Sequence, residues 1–188
     1  MKTTLAVLSL LLLLIPRAAA AQGYIAPFVG YDFGGDAKCP DISDCEDRKS
    51  NLGVAIGKFG AIAGIEEEFG YAKNFFGEAP GLKSNVLTLM TNVMVGPRIL
   101  IVRPYGVIGA GLIKAHMEFT PAGLLDTSNN GFGWNIGGGM IVGGRHIGIR
   151  GDIRYFHSFK DLTFGGISFG SDTKLDYGRA TAALFLGF

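Results

Sequence analysis

Two sets of charged residues recur at a spacing that places them together. Glu66 and Glu68 are two residues apart, and Arg150, Asp152 and Arg154 repeat the same step. On an extended chain, residues two apart point to the same side. Each set therefore presents a row of charge to one face, and guanidinium groups opposite carboxylates can lock into bidentate contacts. Metal chemistry is not indicated. His116, His146 and His157 are scattered, and none shares a face with cysteines or paired carboxylates at ligand spacing, so neither a metal nor a cofactor is expected. The runs Gly137-Gly138-Gly139 and Gly143-Gly144 lack the strand-to-helix context and following lysine of a phosphate loop. Asp36, Asp41, Asp44, Glu46 and Asp47 surround Cys39 and Cys45. That cluster suits a hard cation in type, but its spacing matches no EF-hand, and solvated loop charge is the simpler reading.

The elements that carry these residues follow from composition and periodicity. The chain has 188 residues, 48% of them hydrophobic and 18% charged, with 30 glycines and a formal charge of +1. It is too apolar for a disordered chain and has no basic footprint for nucleic acid. Lys2, the apolar run Leu5 to Ile15, Pro16 and the small residues Ala18 to Ala21 have the layout of a secretory signal peptide, with cleavage expected after Ala21. The run is shorter than the ~20 residues of a spanning helix. Residues 1–21 are thus expected to be a leader and 22–188 one domain. In an exported chain the two cysteines, Cys39 and Cys45, are expected to pair.

Beyond the leader, hydrophobic residues recur with period two between regular turn signals, which predicts strands. Eight are expected: Gly23–Phe33, Lys49–Lys58, Ala61–Ala72, Ser84–Val95, Arg103–Met117, Gly131–Gly143, Ile147–Phe156 and Tyr177–Phe188. Their connections hold 15, 2, 11, 7, 13, 3 and 20 residues, alternating long and short. That is how an eight-stranded antiparallel up-and-down transmembrane β-barrel is connected, with short periplasmic turns and long outer loops. In the seventh strand Ile147, Ile149, Ile153 and Tyr155 alternate with Arg150, Asp152 and Arg154. In the eighth, Ala180, Ala182, Leu184, Leu186 and Phe188 oppose Tyr177, Arg179 and Thr181. The fifth is expected to turn Tyr105, Val107, Ile113, Ala115 and Met117 to lipid, with Lys114 and His116 inside.

The terminal strand, Tyr177 to Phe188, resembles that of the small eight-stranded outer-membrane barrels of Gram-negative bacteria. Representatives are the transmembrane domain of outer-membrane protein A and outer-membrane protein X. The resemblance assigns Leu184, Leu186 and Phe188 to a C-terminal signal read by the barrel-insertion machinery, although Leu186 replaces the aromatic often found there. It implies an outer-membrane lipid environment and a monomer. Some members modify lipid A with a His and a Ser two residues apart. Here His157 and Ser158 are adjacent and so face opposite ways, which predicts no enzyme. Aromatic girdles are expected where the wall meets headgroups. Tyr31, Phe33, Phe69, Tyr71, Phe119, Phe132, Trp134 and Tyr155 would form the outer ring, and Tyr24, Tyr105 and Phe188 a sparser periplasmic one.

Three residues resist this arrangement. With Glu66 and Glu68 inward, Glu67 faces lipid unless a bulge re-aims it. Pro27 cannot donate a ladder bond inside a closed ring. Lys58 is tolerable only near the periplasmic interface. The reading that results is a non-enzymatic outer-membrane barrel with a structural or surface-interaction role, open to an unidentified extracellular ligand. Its lumen would be closed at mid-height by Glu66, Glu68, Arg150, Asp152 and Arg154. The alternative is a narrow channel or small-ligand conduit, suggested by the inward glycines Gly131, Gly133, Gly137 and Gly139.

Overall fold

The structure is a computed structural model that describes residues 21–34, 48–73, 75, 82–119, 125–161, 163–164, 167–168 and 174–188. Eight long strands form the wall: β1 (Gln22–Phe33), β2 (Arg48–Phe59), β3 (Ala63–Lys73), β4 (Leu82–Val95), β5 (Val102–Phe119), β6 (Leu125–Gly143), β7 (Ile147–Asp161) and β10 (Lys174–Gly187). Two-residue strands β8 (Thr163–Phe164) and β9 (Ile167–Ser168) pair with each other between β7 and β10. The wall closes in the order β1-β10-β7-β6-β5-β4-β3-β2, with every pairing antiparallel. This is the all-β, eight-stranded up-and-down barrel that the strand count and connections predict. No helix is long and apolar enough to cross a membrane among the described residues.

Period-two alternation turns the barrel inside out relative to a soluble core. Ile65, Phe69, Leu89, Val93, Ile136, Ile149, Ile153 and Leu184 are exposed on the outer wall, while Glu66, Glu68, Arg150, Asp152, Arg154 and Arg179 are buried. Membrane barrels face lipid with apolar residues and keep polar ones inside. Most of the expected girdle lies outside as well: Tyr31, Phe33, Phe69, Phe132 and Tyr155 are exposed near the long-loop end, and Trp134 packs against Tyr155 with ring centroids 5.8 Å apart.

Several expectations need correction. The fifth strand has the opposite face inward: Tyr105, Val107, Ile113 and Ala115 are buried and Lys114 is exposed. Tyr24 and Tyr105 are therefore lumen residues rather than members of a periplasmic girdle. The cause is that the lumen is apolar toward both ends, so an apolar face does not by itself point to lipid. The long-short alternation also breaks at β5 and β6, which stay paired up to Phe119↔Leu125, leaving only residues 120–124 between them. Since β6 meets β7 first at Gly133↔Ser158, this hairpin rises beyond the ring. Its polar run Asp126 to Asn130 resembles loop sequence, yet outside the membrane a ladder can continue with polar side chains.

The three difficult residues are accommodated without a bulge. Glu67 keeps its place in uninterrupted β2–β3 and β3–β4 ladders and faces outward, where Thr91 Oγ1 donates to its Oε2 at 2.9 Å. Pro27 pairs with Val54 of β2, but the β1–β10 ladder passes from Ile25↔Leu186 to Phe28↔Ala183 and omits Ala26 and Pro27. Lys58 is exposed one residue from the end of β2, beside a short turn.

Candidate functional site

The candidate site is the barrel interior, built where β3 and β7 confront each other from opposite sides of the ring. Alternation sends Glu66 and Glu68 inward from β3, and Arg150, Asp152 and Arg154 inward from β7. Arg150 grips Glu66 with both terminal nitrogens, pairing Nη1 with Oε2 and donating from Nη2 to Oε1 at 3.2 Å. Arg154 Nη2 lies 3.0 Å from Glu66 Oε1, and its Nη1 lies 2.9 Å from Glu68 Oε2. Asp152 sits between the arginines, 2.9 Å from Arg150 Nε and 3.1 Å from Arg154 Nε. All five side chains are nearly inaccessible to solvent. Buried charges are tolerated when they are paired and hydrogen-bonded; the bidentate Arg150–Glu66 contact meets both demands, whereas Arg154 Nη1 and Glu68 Oε1 are compensated by opposite charge without a hydrogen bond.

The network reaches further than the charged rows of the sequence suggest. Tyr24 Oη donates to Glu66 Oε2 at 2.6 Å, and Tyr105 Oη donates to Asp152 Oδ2 at 2.8 Å. Asn92 donates to Glu66, and Asn135 donates to Asn92 at 2.8 Å. A second ion pair forms on the side toward the long connections, where Arg179 Nε lies 2.7 Å from Asp32 Oδ1. Arg179 also approaches Glu68, at 3.6 Å, and Asn51 donates to Asp32 at 2.8 Å. Period two had turned Arg179 inward. Asp32 has no comparable signal, since Pro27 interrupts the alternation of donors along its strand.

Apolar layers lie on both sides of the charges. Toward the long connections Phe75, Met90, Ile113, Phe156, Leu175 and Tyr177 form one buried cluster. Phe156 and Tyr177 stack there with centroids 5.0 Å apart, and the Arg179 guanidinium carbon lies 4.7 Å over the Phe156 ring. Toward the short turns Tyr24, Phe59, Met94, Tyr105, Ile141 and Phe185 form the other. An eight-stranded barrel is narrow enough for side chains to fill, and these rings and aliphatic groups fill it above and below the ion pairs.

Inward glycines supply the remaining space. A Cβ at Gly137 would stand 2.2 Å from the Ile153 carbonyl oxygen and 2.9 Å from Arg154 Cγ, and one at Gly139 would stand 2.4 Å from Asp152 Cβ. Gly133 would meet Ile113 at 2.7 Å. Neighbouring side chains thus occupy the room that these glycines leave.

The other expected sites are placed as follows. Cys39, Cys45 and the acidic residues between Asp36 and Asp47 lie outside the described residues, as do residues 1–20, which include most of the expected leader. Leu184 and Phe188 are exposed on the outer wall, Leu186 is partly exposed, and the Phe188 amide donates to the Gly23 carbonyl at 2.9 Å. Ser158 is buried within the barrel, while His157 belongs to the outer aromatic group, 5.5 Å from Trp134 between centroids. Among the described residues no three His, Cys, Asp or Glu side chains gather as a metal site.

A closed ring of strands with outward-facing aliphatics and enclosed charge has the construction of an integral membrane barrel. The chain belongs to the family described as "Outer membrane protein beta-barrel domain", which matches residues 5–174. None of the curated protein sequences matches it. Among solved structures it is similar to Neisserial surface protein A, with a TM-score of 0.68 and 13% identity over 88% of this chain and 97% of that one. It is also similar to Ail, the attachment invasion locus protein of Yersinia pestis, solved with the heparin analogue sucrose octasulfate. That likeness has a TM-score of 0.60 and 16% identity over 89% of this chain and 99% of that one. The N-terminal barrel of Pseudomonas aeruginosa OprF is a further neighbour, with a TM-score of 0.52 and 12% identity over 89% and 99%. At these identities the likeness establishes the shared fold, and the protein is a small barrel of the outer membrane.

Proposed function

We propose that this barrel is a closed, non-enzymatic membrane scaffold that acts through its outer surface and long connections rather than through its lumen. The observation that carries the reading is the layered filling of the interior, aromatic and aliphatic at both ends and ionic in the middle. An ion crossing it would have to displace the Phe156–Tyr177 stack, break Arg–carboxylate pairs, and then pass Phe59 and Phe185. Parting these buried pairs would leave charges uncompensated in a water-poor interior, which opposes conduction. The opposed orientations of His157 and Ser158 support the non-enzymatic part.

Planar-bilayer recording tests this directly. The wild-type barrel is expected to show no steady conductance. Arg150→Ala combined with Arg154→Ala is expected to conduct or to lose stability. Steady conductance by the wild-type protein would replace this reading with that of a narrow channel.

A second reading, recognition of a polyanion at the long-loop end, is favoured by Lys73 and Lys114. Both are exposed near the loop ends of β3 and β5, and the similar Ail barrel was solved with a sulfated sugar. Sucrose octasulfate binding that is lost in Lys73→Gln with Lys114→Gln would support it.

A further inference from the structure

The three arginines at mid-lumen all contact carboxylates, whereas two at the short-turn end do not. Arg98 lies in the β4–β5 turn and Arg103 on β5, and together with Gln22, Phe59, Ile141 and Phe185 they line a small cavity at the barrel mouth. Arg98 is held in place by two carbonyl oxygens, donating from Nη2 to Gly143 at 3.0 Å and from Nε to Leu100 at 3.3 Å. Arg103 lies over Phe59, its guanidinium carbon 4.1 Å from the ring centroid. Its Nε is buried with no hydrogen-bond partner.

No carboxylate among the described residues forms an ion pair with either arginine. None is nearby in sequence, since the three short turns, residues 60–62, 96–101 and 144–146, contain no Asp or Glu but add Arg145 and His146. A buried donor without a partner is unfavourable, because it has lost its hydrogen bond to water and gained none in return. Two uncompensated guanidinium groups around one cavity repel each other. Both costs are removed by an anion from outside the chain.

We propose that Arg98 and Arg103 form a binding site for a phosphate-type oxyanion at the periplasmic mouth of the barrel. The fixed, planar donor forks of two arginines match a tetrahedral oxyanion better than they match a spherical halide. The cavity admits one oxygen-sized group. One phosphate oxygen would enter toward Arg103 Nε and the others would remain at the mouth beside Arg98. The phosphate can come from free inorganic phosphate or from the headgroup of a periplasmic-leaflet phospholipid, and the chemistry at the arginines is the same. This site lies at the end of the barrel and is independent of whether the lumen conducts.

The test is phosphorus NMR on the full chain in maltoside micelles, which contain no phosphate. Inorganic phosphate is titrated in one arm, and dihexanoyl phosphatidylglycerol below its micelle concentration in the other. Saturable binding is expected in at least one arm, weakened roughly tenfold or more by Arg98→Gln and by Arg103→Gln, and changed less than about twofold by Arg145→Gln. Saturation by phosphate alone identifies the free ion as the source, and saturation by the lipid alone identifies the headgroup. If Arg103→Gln does not fold, Arg103→Lys keeps the charge and loses the fork, and weakened binding is still expected. Absence of saturation in both arms would overturn the site. So would equal weakening by Arg145→Gln, which would reduce the effect to the general positive field of the mouth.

Discussion

Arg154 and Glu68 project from opposite walls of the ring and meet 2.9 Å apart, so this ion pair, like those of Arg150 and Arg154 with Glu66, spans the barrel. Such a bridge ties β7 to β3, which share no ladder, and resists flattening of the ring in a way that wall hydrogen bonds alone do not.

Removing one end of this bridge is expected to be more harmful than removing both. Arg154→Met leaves Glu66, Glu68 and Asp152 short of a cation and is expected to cost about 3–5 kcal/mol. Adding Glu68→Leu is expected to restore part of that loss, because it removes one of the carboxylates left unpaired. A double-mutant cycle by urea unfolding in lipid vesicles measures the coupling. Purely additive losses would show that the contact contributes nothing.

The glycines of β6 are expected to be irreplaceable where they face the network. Gly137→Ala places a methyl group against the Ile153 carbonyl and the Arg154 stem, and is expected to cost about 1–3 kcal/mol by overpacking. Gly106→Ala meets no atom within 4 Å and is expected to be neutral or mildly stabilising. Comparing the unfolding midpoints of the two variants checks the contrast.

Asp32 and Arg179 are directly paired across the β1–β10 ladder and joined inside the lumen at 2.7 Å. Arg179→Met is expected to destabilise the barrel by about 3–5 kcal/mol, since it takes the bidentate guanidinium away from the buried Asp32 carboxylate, to which Asn51 still donates. The exchange Asp32→Arg with Arg179→Asp is expected to recover part of the loss. Folded protein is read from the heat-modifiable band on gels, and an unchanged midpoint in Arg179→Met would remove the pair from this role.

Phe188, exposed on the wall beside the first strand, is proposed as the end of the insertion signal. Deleting it is expected to slow assembly into the outer membrane while export continues, leaving more unassembled chain in the periplasmic fraction. Assembly at the wild-type rate would assign the signal elsewhere.

The faces of β7 were legible because charge and aliphatic residues alternate in it from Ile147 to Tyr155, those of β10 because its aliphatic row Ala180 to Leu186 opposes Arg179, and those of β3 despite Glu67, because Ile65, Phe69 and Tyr71 oppose Glu66 and Glu68. The two charge rows therefore face each other as their spacing suggests. β5 misled for a physical reason. Tyr105, Val107, Ile113 and Ala115 resemble a lipid-facing row, but the lumen of so narrow a barrel is filled with side chains and accepts apolar ones as readily as polar ones. Lys114 can face outward because it lies at the headgroup level, where a long cationic side chain extends into water. The Tyr24 and Tyr105 contacts had no sequence signature beyond alternation. Each depends on a partner from a distant strand, Glu66 or Asp152, and on the depth at which the closed ring sets the two.

The closing seam joins the start of β1 to the strand furthest from it in sequence: Gly23 accepts from the Phe188 amide, and Tyr24 pairs with Gly187. During synthesis and export, β1 therefore waits for a neighbour that does not yet exist. A partly made barrel would have two raw edges, and in hydrocarbon each unpaired backbone group costs several kcal/mol. Half a ring is thus no stable resting place in the bilayer. The chain has to arrive whole and unfolded, be shielded from its own sticky strands on the way, and shut the circle in one cooperative event. Late truncations should for this reason be as damaging as early ones, however little of the wall they remove.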